Sequence, residues 1–363
     1  MTATSSPPTG AGLRTGWTTG TCAAAAAKAA ALGLAAGAPP PEVEVALPDG
    51  RRVRFAVEAE SPLRCVVVKD AGDDPDCTDG ARMTAEVTWA PPGTATALRN
   101  GAGVGTVTRP GLGLPVGVPA INPVPRRMIL AALAEATPRP VVVTFSVPGG
   151  EAMADKTTNA RLGILGGISI LGTTGVVRPF STASYRASVV QQIDVAAANG
   201  ADALALATGS RSEGAARRLH PELPEVCLVE VGDFTGIALR RAAARGVRRV
   251  AFVGMVGKIA KLAAGVMMTH FHRSRVDGEL LAEAARQAGA PATVVAAATE
   301  TATARHFFEV CDATGVTGPL IELCRRAARA CAHHAGGALD VEVTMVDFEG
   351  ERVVATAGCG RAG

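Results

Sequence analysis

The densest chemistry in this 363-residue chain lies in KDAGDDPDCTDG, residues 69–80, where Asp70, Asp73, Asp74, Asp76 and Asp79 crowd around glycines and a proline. Carboxylates so placed can ligate a hard cation, accept ribose hydroxyls or hold a cationic ligand, and they also occur in plain solvated turns. The ligand order and closing glutamate of an EF-hand are missing. A second concentration is PAINPVPRRMI, residues 119–129, where Arg126 and Arg127 follow a proline-stiffened turn. Guanidinium groups on a stiff mount suit carboxylate recognition, and surface arginines are the bland alternative. Histidine offers less. His270 and His272 share THFHRS, and His333 and His334 are adjacent, but no third and fourth ligand accompanies either pair, so no metal site is expected.

Gly-, Thr- and Ser-rich loops form the next group: GTTG at 172–175, ATGSRSE at 207–213, VGDFTG at 231–236 and GMVGK at 254–258. Each follows a short apolar run, namely ISIL at 168–171, ALAL at 203–206, CLVE at 227–230 and VAFV at 250–253. Helical patterns fall at 182–198, 212–219, 234–245 and 256–267. Strand and helix alternating at this spacing predict a doubly wound, mostly parallel sheet. Ligands of such sheets bind beyond the carboxyl ends of the strands. There, free N–H groups at helix starts favour anionic or polar groups. Together these loops mark an expected binding crevice.

The first part of the chain has a different rhythm. VEVALPDGRRVRFAV, residues 43–57, reads as a β-hairpin, and further strands are predicted at 64–69, 83–89 and 141–146. Near the start, TGWTTGTCAAAAAKAA, residues 15–30, sets a Thr/Gly cluster against alanines. Lys28 interrupts the apolar run, which argues against a secretory signal, and no segment is expected to reach the roughly 18 charge-poor residues of a membrane span. The alanines predict a helix capped by Thr19 or Thr21 and ended at Gly33 or Gly37, with side chains small enough for close packing. The fold class is therefore α/β and α+β in two domains. Residues 1–145 form a mixed α+β domain, and residues 146–338 a doubly wound, mostly parallel Rossmann-like α/β domain. Residues 339–363 hold a hairpin and tail, a candidate to pack on the first domain.

Composition excludes several function classes. A net charge of +3 with scattered basic residues, and Tyr185 as the only tyrosine, argue against a nucleic-acid binder. GAGVG at 101–105 is followed by Pro110, which blocks the helix a dinucleotide loop must open. GMVGK lacks the length of a P-loop, and no GxSxG elbow surrounds a serine. Cys22, Cys65, Cys77, Cys227, Cys311, Cys324, Cys331 and Cys359 form no CxxC pair. A cytoplasmic location is expected on that basis.

LRTGWTTGTCAAAAAKAA, KDAGDDPDCTDG, GVGTVTRPGLGLPVGVPAINPVPRRMI, SVPGGEAMADKTTNARLGILGGISILGTTGVVRPFS and GMVGKIAKLAAG together resemble the CbiD family. The likeness runs from about residue 13 to about 270 and continues more weakly beyond. It departs at Trp17, where phenylalanine is more familiar, and at CTDG, which bears on Asp79. The resemblance implies methyl transfer from S-adenosylmethionine to C1 of cobalt-precorrin-5B in anaerobic cobalamin (vitamin B12) biosynthesis. The products would be cobalt-precorrin-6A and S-adenosylhomocysteine. A non-catalytic tetrapyrrole carrier or chaperone of the same pathway is the alternative.

In-line displacement at a sulfonium methyl needs positioning rather than a catalytic triad, so no catalytic residue is assigned. Under this resemblance the donor is expected in the second-domain crevice, with Thr173, Thr174, Gly175, Thr208, Gly209, Ser210, Asp233, Gly254 and Lys258 as contacts. The corrinoid is expected between the domains. It would touch Thr18, Thr19, Gly20, Thr21, Asp70, Asp73 and Asp74, with Arg126, Arg127, Arg161 and Arg178 meeting its carboxylates. Cobalt would travel with the substrate, and other cobalamin-pathway enzymes are the expected transient partners.

Overall fold

The computed structural model describes residues 12–269, 277–301 and 303–361, so His270 and His272 lie outside the described residues. The alanine run forms the 18-residue helix Thr19–Ala36. Thr18, rather than Thr19 or Thr21, is the N-cap, because its backbone is still extended while Thr19 and Thr21 are already helical. Its Oγ1 accepts the Thr21 amide at 3.2 Å. Gly37, with φ 87°, ends the helix and donates to the Gly33 carbonyl at 2.8 Å. This helix is long and apolar enough to meet the length test for a membrane span, contrary to expectation, but 78% of that window is buried inside the protein. An apolar surface all round is that of a core helix.

The helix Pro123–Ala136, the strands Arg64–Val68 and Arg82–Trp89, and the hairpin strand Glu42–Ala46 pack around it. Because Ala23 through Ala27 carry only methyl groups, these neighbours come in to backbone range. Gly33 marks the limit: a Cβ there would stand 2.0 Å from the Pro62 carbonyl oxygen. Lys28 runs to the rim of this packing, where Nζ donates to the Glu44 carbonyl at 2.7 Å and pairs with Glu135. Hydrogen bonds from Arg52 and then Lys28 hold the Glu135 carboxyl down at about 2.

The first sheet runs in the order Glu58–Ser61, Arg64–Val68, Arg82–Trp89, Val141–Ser146, Ala97–Asn100, antiparallel except at the last junction. One compact unit ends at Thr182 and the next begins at Ala183, so residues 146–182 fold with the first unit rather than the second. Three short ladders hold them there: Ile164–Leu165 on Thr106–Val107, Gly167–Ile168 on Gly103–Val104, and Val176–Val177 on Gly16–Trp17. ISIL is therefore not a strand of the second sheet. Its backbone is taken up by Gly105, Ala120 and Asn122.

The second sheet runs Leu228–Glu230, Ala203–Ala207, Arg249–Gly254, Asp340–Val346, Val353–Cys359. The first four strands are parallel and the last is antiparallel. Ala205, Ala207 and Val253 pack on Ala215 and Ala216 of the helix Ser210–Leu219. Leu204, Leu206 and Phe252, of opposite parity, are buried as well, so both faces are covered. The terminal hairpin extends this sheet and does not return to the first. Val341 and Val343, both buried, stand in register with Val250 and Phe252 and continue their apolar face.

Two outcomes follow for stability. Gly33→Ala should destabilise by about 1–3 kcal/mol despite alanine's better helix propensity, because the clash is with backbone. Urea unfolding checks this, and an unchanged midpoint would mean Pro62 yields freely. Glu135→Gln should lower stability at about pH 7. A depressed carboxyl contributes above the unfolded carboxylate range and loses that contribution as pH falls towards about 2. The gap to the parent protein should therefore narrow in titrations down to about pH 3.

Candidate functional site

The acidic loop is a knot of internal bonds. Asp70 pairs through Oδ2 with Arg14 and accepts the Gly72 N–H on Oδ1 at 2.9 Å. Asp73 accepts the Arg14 N–H at 2.6 Å, Asp74 the Phe180 N–H at 2.9 Å and Asp79 the Ala71 N–H at 2.8 Å. Asp76 meets the buried Lys69 ammonium at 2.8 Å and accepts both the amide and hydroxyl of Thr78. Burial pushes the Asp76 carboxyl up, but the bonds from Lys69 and Thr78 outweigh it and hold it below the usual range. The Arg14 hydrogen bond does the same for Asp70. Among the described residues no group of three or more His, Cys, Asp or Glu is arranged to hold a metal ion.

This knot fixes the segment entering the alanine helix. Thr15 bridges to Gly72 on one side, and Gly16–Trp17 pairs with Val176–Val177 on the other. Thr18, Thr19 and Thr21 are buried. The Thr18 amide donates to the Gly175 carbonyl at 3.1 Å, and the Thr21 hydroxyl donates to the same oxygen at 2.7 Å. The Gly20 amide donates to the Leu171 carbonyl at 3.0 Å, and the Thr19 hydroxyl accepts the Leu171 N–H at 2.9 Å. Thr19 and Thr21 spend their hydroxyls on the loop 171–175, while the Thr18 hydroxyl caps the helix at Thr21. What that loop leaves exposed is Leu171, Thr173 and Thr174.

Thr173, Thr174 and Gly175 thus belong with Thr18 to Thr21 in the first unit, not with the strand ends of the second. The reason is the ladder that holds ISIL there. Pro125 lies beneath the same corner: a Cβ on Gly20 would meet its Cγ at 2.7 Å and the Leu171 oxygen at 3.1 Å. Arg126 and Arg127, both exposed, continue the helix from that point. Arg161 and the exposed Arg178 lie in the first unit too.

The second unit gathers the remaining residues at strand ends. Ala203–Ala207 is flanked by the next strand in sequence on one side and by the following one on the other, which makes its carboxyl end the switch point of the sheet. Thr208, Gly209 and Ser210 follow that strand, Asp233 follows Leu228–Glu230, Gly254 closes Arg249–Gly254, and Lys258 lies in the helix Val256–Ala263. The helix start after Gly209 is less open than the sequence suggests. Ser212 Oγ accepts the Thr208 and Gly209 amides at 3.0 and 3.1 Å. Asp233 Oδ1 pairs with Lys258 and accepts the Thr269 hydroxyl at 3.3 Å, and neither bond reaches Oδ2. Next to it, burial and then the Lys258 charge lower the pKa of Lys261.

Sequence reasoning missed an aromatic pair here. Tyr185 stacks on Phe234 with ring centroids 5.7 Å apart, and its hydroxyl lies 2.9 Å from where a Gly232 Cβ would be. Burial, with Glu230, Asp233 and Glu213 nearby, raises the phenol to about 12. The only available signal was the rarity of the residue, since its neighbours in space are far away in sequence.

Comparison with known proteins places the chain. The CbiD family model matches residues 6–179, and that of the CbiD C-terminal domain matches residues 268–357. A Cobalt-precorrin-5B C(1)-methyltransferase of Rubrobacter xylanophilus is 60% identical over 351 residues, covering 94% of this chain and 90% of that protein. The protein of the same name from Salinispora arenicola is 58% identical, covering 95% of this chain and 93% of its own length. A crystal structure of cobalamin biosynthesis protein (cbiD) from Archaeoglobus fulgidus is 31% identical, covering 77% of this chain and 85% of that one, with a TM-score of 0.41. With family matches over both ends and relatives of this identity along nearly its whole length, the chain belongs to the CbiD family.

Proposed function

We propose that the chain methylates C1 of cobalt-precorrin-5B in cobalamin biosynthesis, with S-adenosylmethionine as donor and cobalt-precorrin-6A and S-adenosylhomocysteine as products. The observation that carries this reading is the 60% identity, over 94% of the chain, to a relative named for that reaction. The chemistry suits the residues present. Methyl transfer from a sulfonium releases a neutral thioether that needs no proton, so the protein's work is orientation and electrostatics.

Electrostatic character supports a division of labour. The donor is a cation at its sulfur, and Glu213, Glu230 and Asp233 surround Tyr185 in the second unit. Asp233 would offer Oδ2 to the ribose, with Lys258 and Thr269 fixing Oδ1. Tyr185 would offer a ring face to adenine, and Ser210 and Gly254 would line the loop that Ser212 shapes through Thr208 and Gly209. The acceptor carries carboxylate side chains. Arg126, Arg127, Arg161 and Arg178 of the first unit would meet them, with Thr173 and Thr174 beside them. Cobalt arrives as part of the substrate. A cytoplasmic location fits the free thiols, and brief contacts with the enzymes before and after it in the pathway would spare an unstable intermediate.

Methyl-labelled donor incubated with cobalt-precorrin-5B should place one label at C1 for each corrinoid converted. Corrinoid binding without any label transfer would make the protein a carrier. Asp233→Asn should raise the KM for S-adenosylmethionine roughly tenfold and leave the KM for the corrinoid unchanged. The reverse pattern would move the donor elsewhere.

A further inference from the structure

Phe180 stands apart from every other non-glycine residue described: it alone has a positive φ, at 54°. An aromatic residue in the left-handed region is disfavoured, and a turn needing only that bend would carry glycine or asparagine. Burial of the ring does not offset the strain, since the residue is 48% exposed. The conformation is instead pinned from a distance: the Phe180 N–H donates to Asp74 Oδ1 at 2.9 Å, across 106 residues of chain. Asp74 sits in the knotted loop, where its own carbonyl accepts the Asp76 amide at 2.8 Å. Strain maintained by rigid surroundings, on a side chain left open, is the pattern of a site rather than of a core.

The same short segment carries other exposed groups. Leu171 is 48% exposed, and Thr173, Thr174 and Arg178 are exposed as well. Between them the backbone is anchored by Thr18 and Thr21 at Gly175 and by Gly16–Trp17 at Val176–Val177. Residues 171–180 therefore present two apolar side chains, two hydroxyls and a guanidinium on a fixed backbone. A flat, apolar macrocycle rimmed with carboxylates is the ligand that this set complements.

We propose that residues 171–180 form the platform for the corrinoid macrocycle, with Phe180 stacking on its face, Arg178 meeting a carboxylate and Asp74 as the positioning residue that holds Phe180 in place. The proposal rests on the methyltransferase reading for the identity of the ligand.

Phe180→Gly tests it, because glycine adopts this backbone without strain. The variant should keep or raise its thermal midpoint, while the KM for cobalt-precorrin-5B rises about fivefold to tenfold and the KM for S-adenosylmethionine stays put. Phe180→Tyr, which keeps the ring, should restore the parental KM. A lowered midpoint with an unchanged corrinoid KM would make the ring a packing element and overturn the platform. If the glycine variant does not fold, Phe180→Leu keeps the bulk and loses the aromatic face, so the same rise is expected and its absence is equally fatal. The two readings fail separately. Methyl transfer indifferent to Phe180 removes the platform alone. Corrinoid binding that depends on Phe180, followed by no transfer, removes the methyltransferase and leaves the platform standing.

Discussion

A helix that carries only methyl groups over much of its length lets its neighbours approach closely, and most of Thr19–Ala36 is buried among them. This contact leaves no slack. The Pro62 carbonyl lies where a Gly33 side chain would begin, and Pro125 fills the space over Gly20. The helix start inherits that precision. Thr18, Thr19 and Thr21 hand it on to the loop 171–175 through the carbonyls and amides they hold. Buried hydroxyls with committed partners are costly to remove, so the loop carrying the exposed Thr173 and Thr174 is anchored at Leu171 and at Gly175.

The acidic loop extends the same rigidity to the entering strand. Its carboxylates face inward to Arg14, Lys69 and backbone amides, which turns a loop that looked like a cation site into a clasp. The second unit achieves a comparable order by different means. There the parallel strands bring the loops after Ala203–Ala207, Leu228–Glu230 and Arg249–Gly254 to one end of a sheet, where Ser212 holds the Thr208 and Gly209 amides and Asp233, Lys258 and Thr269 bond to one another. Carboxylates dominate around Tyr185, whereas exposed arginines characterise the first unit's corner. On the proposed reading, that contrast in sign would suit a cationic donor in the second unit and a polycarboxylate acceptor in the first.

Much of this was legible in local sequence. The helix Thr182–Ala198 and the end of the alanine helix at Gly37 fall where periodicity and cap chemistry predict them, because both depend on residues close in the chain. The strands at Arg64–Val68, Arg82–Trp89 and Val141–Ser146 were visible for the same reason. Partner choice was not. ISIL has the composition of a buried strand wherever it pairs, and its ladder with Val104 and its bonds to Gly105, Ala120 and Asn122 assign it to the first unit. The terminal hairpin posed the same ambiguity, which the register of Val341 with Val250 resolves. Thr173 and Thr174 were grouped with the wrong strand ends in consequence. The strained Phe180 was invisible, since nothing near it in sequence announces that Asp74 will hold its amide. Family likeness supplied the reaction, and the residues' spacing alone would have stopped at a polar crevice.

The most direct test is a structure determined with S-adenosylhomocysteine bound. The expected density lies beyond the carboxyl ends of Ala203–Ala207 and Arg249–Gly254, with ribose hydroxyls in hydrogen-bond reach of Asp233 and adenine against Tyr185. Density lying instead against Thr173 and Thr174 in the first unit would contradict the assignment of donor and acceptor to the two units.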